Sequence, residues 1–555
     1  MSDVSKGNGK SLALDPAELR RRLSPLAPRA RLDALLDSPD AREVVQSIPA
    51  EDLYLDIADV GLADAADVVR LASPVQFRSF VDLGAWKRDG IEVHELTTWL
   101  RAARGDDQEE FLAKVHGLDL ELLEVLLRSS TVIHDREENP DAHPKGPTLE
   151  TPEGKYLIEF TVEGPELSAL RALVSDLIAE DPFQTSRLIE ALRWEIPSEL
   201  EEAAHRFRAA RLADLGFPPL EQAASLFAFV DPGSTFGPPP AVGGSELALA
   251  DRLDFLEAGA KDLTQQERAR VEEQLRYIAN SALVAEGAEP GDPEAVRMIT
   301  QATRDYLGLG IEHLSGGDAA KAGAVLREQH PRRIFQIGFS LTLKLKFEAD
   351  RLSKKPLARI GNDYLLLPEE AEVVAALRRR RPLRALRVEG AEPVTFRSLR
   401  ELELTRQALA HAASQTDVLG ALLGGTPDQA RNALERFGVP LAELGVDRLF
   451  NAVVANAILH GEARVTPVSR RLLPLLCERL MEGSPAAPRL RSSAAEQAFA
   501  TLARQVEAKS RAELGRMVDQ SLAVLLSDLG PACLSGQEIP REAMANLPTI
   551  DGPAL

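Results

Sequence analysis

RLDALLDSPDAREVVQSIPAEDLYLDIADVGLADAADVVRLASPVQFRSFVDLGAWKRDG, residues 31–90, is the stretch on which the fold turns. Apolar residues recur there at helical spacing, but only for one to three turns before a Pro, Gly or Asp/Ser step interrupts them. Helices that short cannot bury their own apolar faces and are marginal alone. They must lean on one another, and the pattern continues to about residue 130. The stretch therefore predicts a stack of short helices with a shared interior.

The same grammar appears outward from this stretch. Asp15-Pro16-Ala17-Glu18, Ser73-Pro74-Val75-Gln76 and Thr426-Pro427-Asp428-Gln429 each offer a capping side chain, a proline at the first helical position and a polar group at the third. Ser198-Glu199-Leu200-Glu201 reads as a related capping box. Residues 134–155, HDREENPDAHPKGPTLETPEGK, are charged and hold four prolines, so they read as a linker or long loop. Lys155 to Val162, KYLIEFTV, is the best strand candidate, with Tyr364–Leu367 or Ala385–Val388 as possible partners. Residues 231–244, DPGSTFGPPPAVGG, hold four glycines and four prolines and read as a flexible connection. Thr303 to Gln329 looks like one helix-turn-helix unit with Gly316-Gly317 at the turn. Phe335 to Phe347 fits both a strand alternation and a helical face; the helix is preferred, because Pro331 sits well at a helix start and no turn signal follows.

Composition agrees with a helical reading. The chain has 555 residues, beyond what one hydrophobic core serves, so several packed units are expected. Apolar residues are 44%, but aromatics only 5%, with 3 Trp and 5 Tyr, so Leu and Ala do the packing. We expect a mostly α, multi-unit protein with an α-superhelical, repeat-like N-terminal unit and at most a small minor sheet. The expected divisions are a helical repeat-like unit over 15–133, a strand with helices over 150–230, a helical body over 245–480 and C-terminal helices over 490–555.

The formal charge of −21 repels phosphate backbones and argues against nucleic acid as partner. No apolar run is long enough for a transmembrane segment, and residues 1–19 lack the apolar core of a signal peptide, so a cytoplasmic protein is expected. Cys477 and Cys533 are too few for a disulfide framework and lack a CxxC spacing; Cys477 reads as a small buried hydrophobe, with no redox or catalytic role for either.

The densest run of unusual residues is Trp194 to Arg208, WEIPSELEEAAHRFR. Glu202 and His205 stand three apart on one helical face, the spacing of a di-iron bundle motif, but no second Glu-x-x-His exists to complete such a site. Trp194, Glu195, Glu202, His205, Arg206 and Arg208 form the candidate functional patch. Other histidines, His94, His134, His143, His313, His330, His411 and His460, lack ligand spacing, so no metal site is assigned. Gly308-Leu309-Gly310 has His313 where a dinucleotide fingerprint needs glycine, and Gly338-Phe339-Ser340-Leu341-Thr342 lacks the closing glycine of a nucleophile elbow. No catalytic residue and no cofactor is assigned. Between Arg332 and Arg387, 14 basic residues face 6 acids, a local excess that could serve RNA, acidic lipid or an acidic partner, or complement acids elsewhere in the chain.

Two resemblances follow from these phrases. LLDSPDAREVVQSIPAEDLYLDIADVGLADAADVVRLASPVQFRSFVDLGAW resembles the helical N-terminal domain of MgtE-type magnesium transporters and, more loosely, the flagellar switch protein FliG. That resemblance implies a helical superhelix and, in the transporters, regulation through acidic metal sites; no counterpart of the channel appears in this sequence. Over its length, through DLYLDIADVGLADA, LRWEIPSELEEAAHRFRAARLADLGFPPLEQA and RRIFQIGFSLTLKLK, the chain resembles an uncharacterised bacterial domain-of-unknown-function family, 6178, which carries no activity to transfer.

The expected role is a protein-protein interaction scaffold or adaptor whose stacked helices hold a partner helix or extended peptide. One alternative is an enzyme or small-ligand sensor with its site near Trp194–Arg208. Another is a divalent-cation-responsive regulatory protein using Asp37, Asp40, Glu51, Asp52, Asp56, Asp59, Asp64 and Asp67.

Overall fold

The computed structural model describes residues 26–87, 90–141, 143–233, 254–361, 363–386, 388, 390–535 and 538–552. The chain is mostly α, and its described sheets have two or three strands. The Asp15-Pro16 helix start and most of the 231–244 connection lie outside the described residues. Two compact units form: Met1–Leu226 with Ala269–Thr303, and Phe227–Arg268 with Arg304–Leu555.

In the first unit the short rods of the N-terminal stretch are the helices Pro28–Leu36, Ala41–Ser47, Ala50–Val60, Ala66–Leu71, Pro74–Gly84, Val93–Ala103, Gln108–His116 and Leu120–Ser130. Each packs on the next but one, 28–36 on 50–60, 41–47 on 66–71, and so on to 93–103 on 120–130. Alternation of this kind lets every rod cover another's apolar stripe, which none could bury alone. Phe77, Phe80, Ile57, Val68 and Leu96 lie in the shared interior, and Trp99 packs at 5.7 Å from Tyr54 and 5.6 Å from Phe80 between ring centroids. The Ser73 capping box forms in full: Ser73 Oγ accepts from the Gln76 N–H at 3.2 Å, and Gln76 Oε1 accepts from the Ser73 N–H at 2.9 Å.

Three expectations for this unit need correction. The stretch 134–155 is not simply a linker, because Thr131–Asp135 and Thr148–Glu150 are strands at its two ends. The strand Tyr156–Phe160 pairs antiparallel with both of them, Ile158 facing Ile133 and Leu149, rather than with Tyr364–Leu367 or Ala385–Val388. Local closure costs less chain entropy than a pairing across two hundred residues, and Glu159 Oε1 accepts from the Lys145 and Gly146 N–H groups at 2.7 and 2.8 Å to hold the intervening turn. Ser198 does not cap its helix, which starts at Pro197 with Ile196 at the N-cap, two residues ahead of Ser198.

The second unit is built around the helix Val446–His460, buried along most of its length and packed by Leu473–Leu480, Ser492–Leu502 and the long helix Arg511–Ser535. Thr426 caps Pro427–Glu435 as expected. Phe335–Phe347 lies in the helix Pro331–Ser353, so the preferred reading holds. Gly316 and Gly317, both at positive φ, make the turn after Leu314. The last described residues, 538–552, form a strap that buries Met544 and Leu547 and pairs Thr549–Ile550 parallel to Val468–Ser469.

Candidate functional site

The helix Pro197–Asp214 turns Leu200, Ala204 and Arg208 inward, four residues apart on one face, and packs them against the helix Leu120–Ser130. Arg208 is therefore a buried anchor: its Nε–H donates to the Asp82 carbonyl at 2.8 Å and its guanidinium lies 4.9 Å from the centre of the Trp86 indole. His205 is half-buried, its ring 6.3 Å from that of Trp86. Glu202, Arg206 and Glu195 face solvent. The patch thus divides: Arg208 holds the helix down, His205 is half-buried beside Trp86, and Trp194, Glu195, Glu202 and Arg206 face solvent.

The residue that composition and spacing did not single out is Arg211, one turn beyond Arg208. It donates from Nε and Nη2 to the two oxygens of Asp82 at 2.6 and 2.8 Å, and to Asp119 at 2.7 and 3.0 Å. Burial pushes the Asp82 carboxyl above its ordinary range, an effect that Arg211 only partly offsets. Burial also works against the Arg211 charge, yet the two carboxylates hold it more firmly protonated than usual. A bidentate pair in this setting sets the position of the helix on the stack.

Trp194 ends the helix Pro182–Trp194 and is 70% exposed, whereas Trp86 and Trp99 are 6% and 4% exposed. Phe183, Ile196 and Phe207 are exposed near it in sequence. Arg193 lies 5.3 Å from the Trp194 ring centre while pairing with Asp135 at 2.7 Å and Glu138 at 2.6 Å, so a salt-bridged guanidinium lies beside the indole.

The acids of the N-terminal rods are engaged with arginines: Asp56 with Arg31 at 2.8 Å, Asp59 with Arg297 at 2.6 Å, Asp64 with Arg29 at 3.1 Å and Asp67 with Arg70 at 2.7 Å. Among the described residues no group of three or more His, Cys, Asp or Glu side chains is placed to hold a metal ion. Several of the described basic residues of 332–386 pair within their own unit. Lys344 meets Asp231 at 3.4 Å, Lys355 meets Asp417 at 2.9 Å, Arg378 meets Asp350 at 3.0 Å, and Arg381 lies 3.5 Å from the centre of the Phe227 ring.

The cysteines correct the sequence reading. Cys477 and Cys533 form a disulfide between the helices Leu473–Leu480 and Arg511–Ser535, with Cα atoms 5.5 Å apart, and both are half-buried rather than enclosed. A separation of 56 residues with no motif gave the sequence no means of pairing them. The bond lies in the wall of a cavity of about 770 Å³, whose lining includes Leu473, Met481 and Met544 beside Arg470, Glu478 and Arg541.

No helix of the described residues is long and apolar enough to cross a membrane. A family model described as a family of unknown function, DUF6178, matches residues 8–539. No curated protein and no solved structure matches the chain. The likeness to the magnesium-transporter domain accordingly rests on the N-terminal phrases alone.

Proposed function

The chain belongs to the family of unknown function DUF6178, and from that premise, which brings no activity with it, we propose that the protein is an interaction scaffold or adaptor in the cytoplasm. The observation that carries the reading is Trp194. Of three tryptophans it alone stands in solvent, on a base of salt-bridged arginine, with Phe183, Ile196 and Phe207 exposed on the same pair of helices. Phe183 and Trp194 are eleven residues apart, about three helical turns, and so share one face. Exposed aromatics beside arginine are the residue types that anchor protein interfaces, and leaving them in water is unfavourable unless something covers them. Beneath them, alternating rods provide a rigid platform, which lowers the ordering cost of binding a partner helix or extended segment.

The readings of an enzyme or ligand sensor, and of a divalent-cation-responsive regulator, draw less support. The former needs an enclosed His205, whereas it is only half-buried and Glu202 and Arg206 face water. The latter needs acids with spare oxygens, and four of those proposed already hold arginines.

Affinity capture of the full chain at native expression levels tests the proposal. Proteins recovered with the wild type and with the exposed-surface control Val75→Ala should fall at least tenfold with Trp194→Ala, while the variant's stability stays within about 0.5 kcal/mol. Recovery of the same proteins by Trp194→Ala, or of none above background by the wild type, overturns it.

A further inference from the structure

We propose that the Cys477–Cys533 disulfide is a site of thiol-disulfide exchange, and that the cavity beside it admits a small peptide-like thiol bearing both carboxylate and ammonium groups. Three observations converge. Both cysteines are half-buried, so attack on either sulfur does not require unfolding. The cavity they help line, about 770 Å³, is in the range that holds small ligands. Its lining sets Arg470, Arg491 and Arg541 against Glu478, Glu482 and Glu538, over a floor of leucine and methionine. A lining of both signs favours a zwitterion over a simple anion, and a ligand seated there has the disulfide within its own wall.

The chemistry is a two-electron exchange. The thiolate of one small thiol attacks a sulfur of the protein disulfide, forming a mixed disulfide and expelling the other cysteine as a thiolate, which takes a proton. A second small thiolate attacks the ligand sulfur of that mixed disulfide, forming the oxidised ligand dimer and expelling the remaining protein thiolate. Two thiols are thereby oxidised and the protein disulfide is reduced to Cys477 and Cys533 thiols. The reverse sequence closes the bond. Opening it unties the last turn of the helix Arg511–Ser535, immediately ahead of the strap 538–552.

The full-length protein is treated with glutathione as the zwitterionic probe and 2-mercaptoethanol as the neutral one, and reduction is followed by mass spectrometry with rates corrected for thiolate fraction. Glutathione should open the bond at least tenfold faster than 2-mercaptoethanol. Arg541→Ala should remove most of that ratio, whereas Val439→Ala, at an exposed position outside the cavity lining, should leave both rates within twofold. Cys477→Ser, incubated with oxidised glutathione, should acquire one glutathione on Cys533. Equal corrected rates for the two thiols, a bond that opens only in denaturant, or a dithiol form that oxidised glutathione fails to close would each overturn the proposal.

Discussion

Lys114 is 1% exposed, yet it carries an ammonium group into the first unit without an energetic penalty large enough to exclude it. The reason is local: its Nζ donates to the Arg70 carbonyl at 2.8 Å and to Glu110 at 3.0 Å, and Arg42 holds the same carboxylate through bonds of 2.6 and 2.9 Å. Hydrogen bonding to Arg42 is the largest influence that lowers the Glu110 carboxyl from 4.5 to about 2. A carboxylate whose folded value is depressed adds stability that is complete above its unfolded value and is lost as pH falls through the folded one. The first unit should therefore lose on the order of 1 kcal/mol between pH 4.5 and pH 2 through this group, after allowance for its partial exposure. Glu110→Gln should be less stable than the wild type at pH 7 and show a flatter decline below pH 4.5. Urea unfolding at several pH values, followed by tryptophan fluorescence, checks this; parallel profiles for the two proteins would exclude Glu110 as the cause.

Among the elements, the crossing of the Arg304–Leu314 part of the helix Pro293–Leu314 with Pro331–Ser353, both in the second unit, explains by packing two phrases that no motif explained. Gly310 and Gly338 belong to GLGIEH and GFSLT, phrases that resemble a phosphate loop and a nucleophile elbow without completing either. A Cβ on Gly338 would come 1.9 Å from the Tyr306 carbonyl oxygen, and one on Gly310 would come 2.1 Å from that of Ile334. The glycines are there to bring two backbones together, with Tyr306 packed edge-on against Phe335 and Phe339 at 5.3 Å each. Gly338→Ala should cost about 2–3 kcal/mol by overpacking. Gly308→Ala, where the added carbon meets nothing within 4 Å, should be neutral or gain up to about 1 kcal/mol. Denaturant midpoints by circular dichroism check both, and equal effects would refute the crossing. The contrast also marks what was legible in the sequence. Periodicity located the rods of residues 28–130 and the helix through Phe335, because those signals are local. Strand partners, the half-buried Arg211–Asp82 pair and the disulfide were not legible, because each joins residues that only the folded chain brings together. The candidate patch was legible as an unusual run, but spacing alone could not separate its anchor, Arg208, from its exposed members.

At the scale of the molecule, the distribution of probes allows each unit to be followed by itself. Trp86, Trp99 and Trp194 all fall in the first unit, and the disulfide falls in the second. Each unit has its own buried cluster, Leu, Phe and Trp in the first and Leu, Val and Ala around Val446–His460 in the second. A disulfide acts mainly by restricting the unfolded chain; for a separation of 56 residues the chain-entropy model gives roughly 4 kcal/mol, an upper figure if the reduced chain retains structure. The second unit should lose most of that on reduction and keep its helices in the absence of denaturant, since neither cysteine is a fully buried member of the core around Val446–His460 and Cys533 only packs against it. Urea unfolding with and without a reductant separates the outcomes. The circular dichroism signal of the second unit should move to lower urea by an amount equivalent to about 2–4 kcal/mol, while the tryptophan-monitored transition of the first stays in place. If the tryptophan transition moved as far as the other, the bond would be stabilising a structure that does not divide at Leu226 and Thr303; if neither moved, Cys477 and Cys533 would be unpaired in solution.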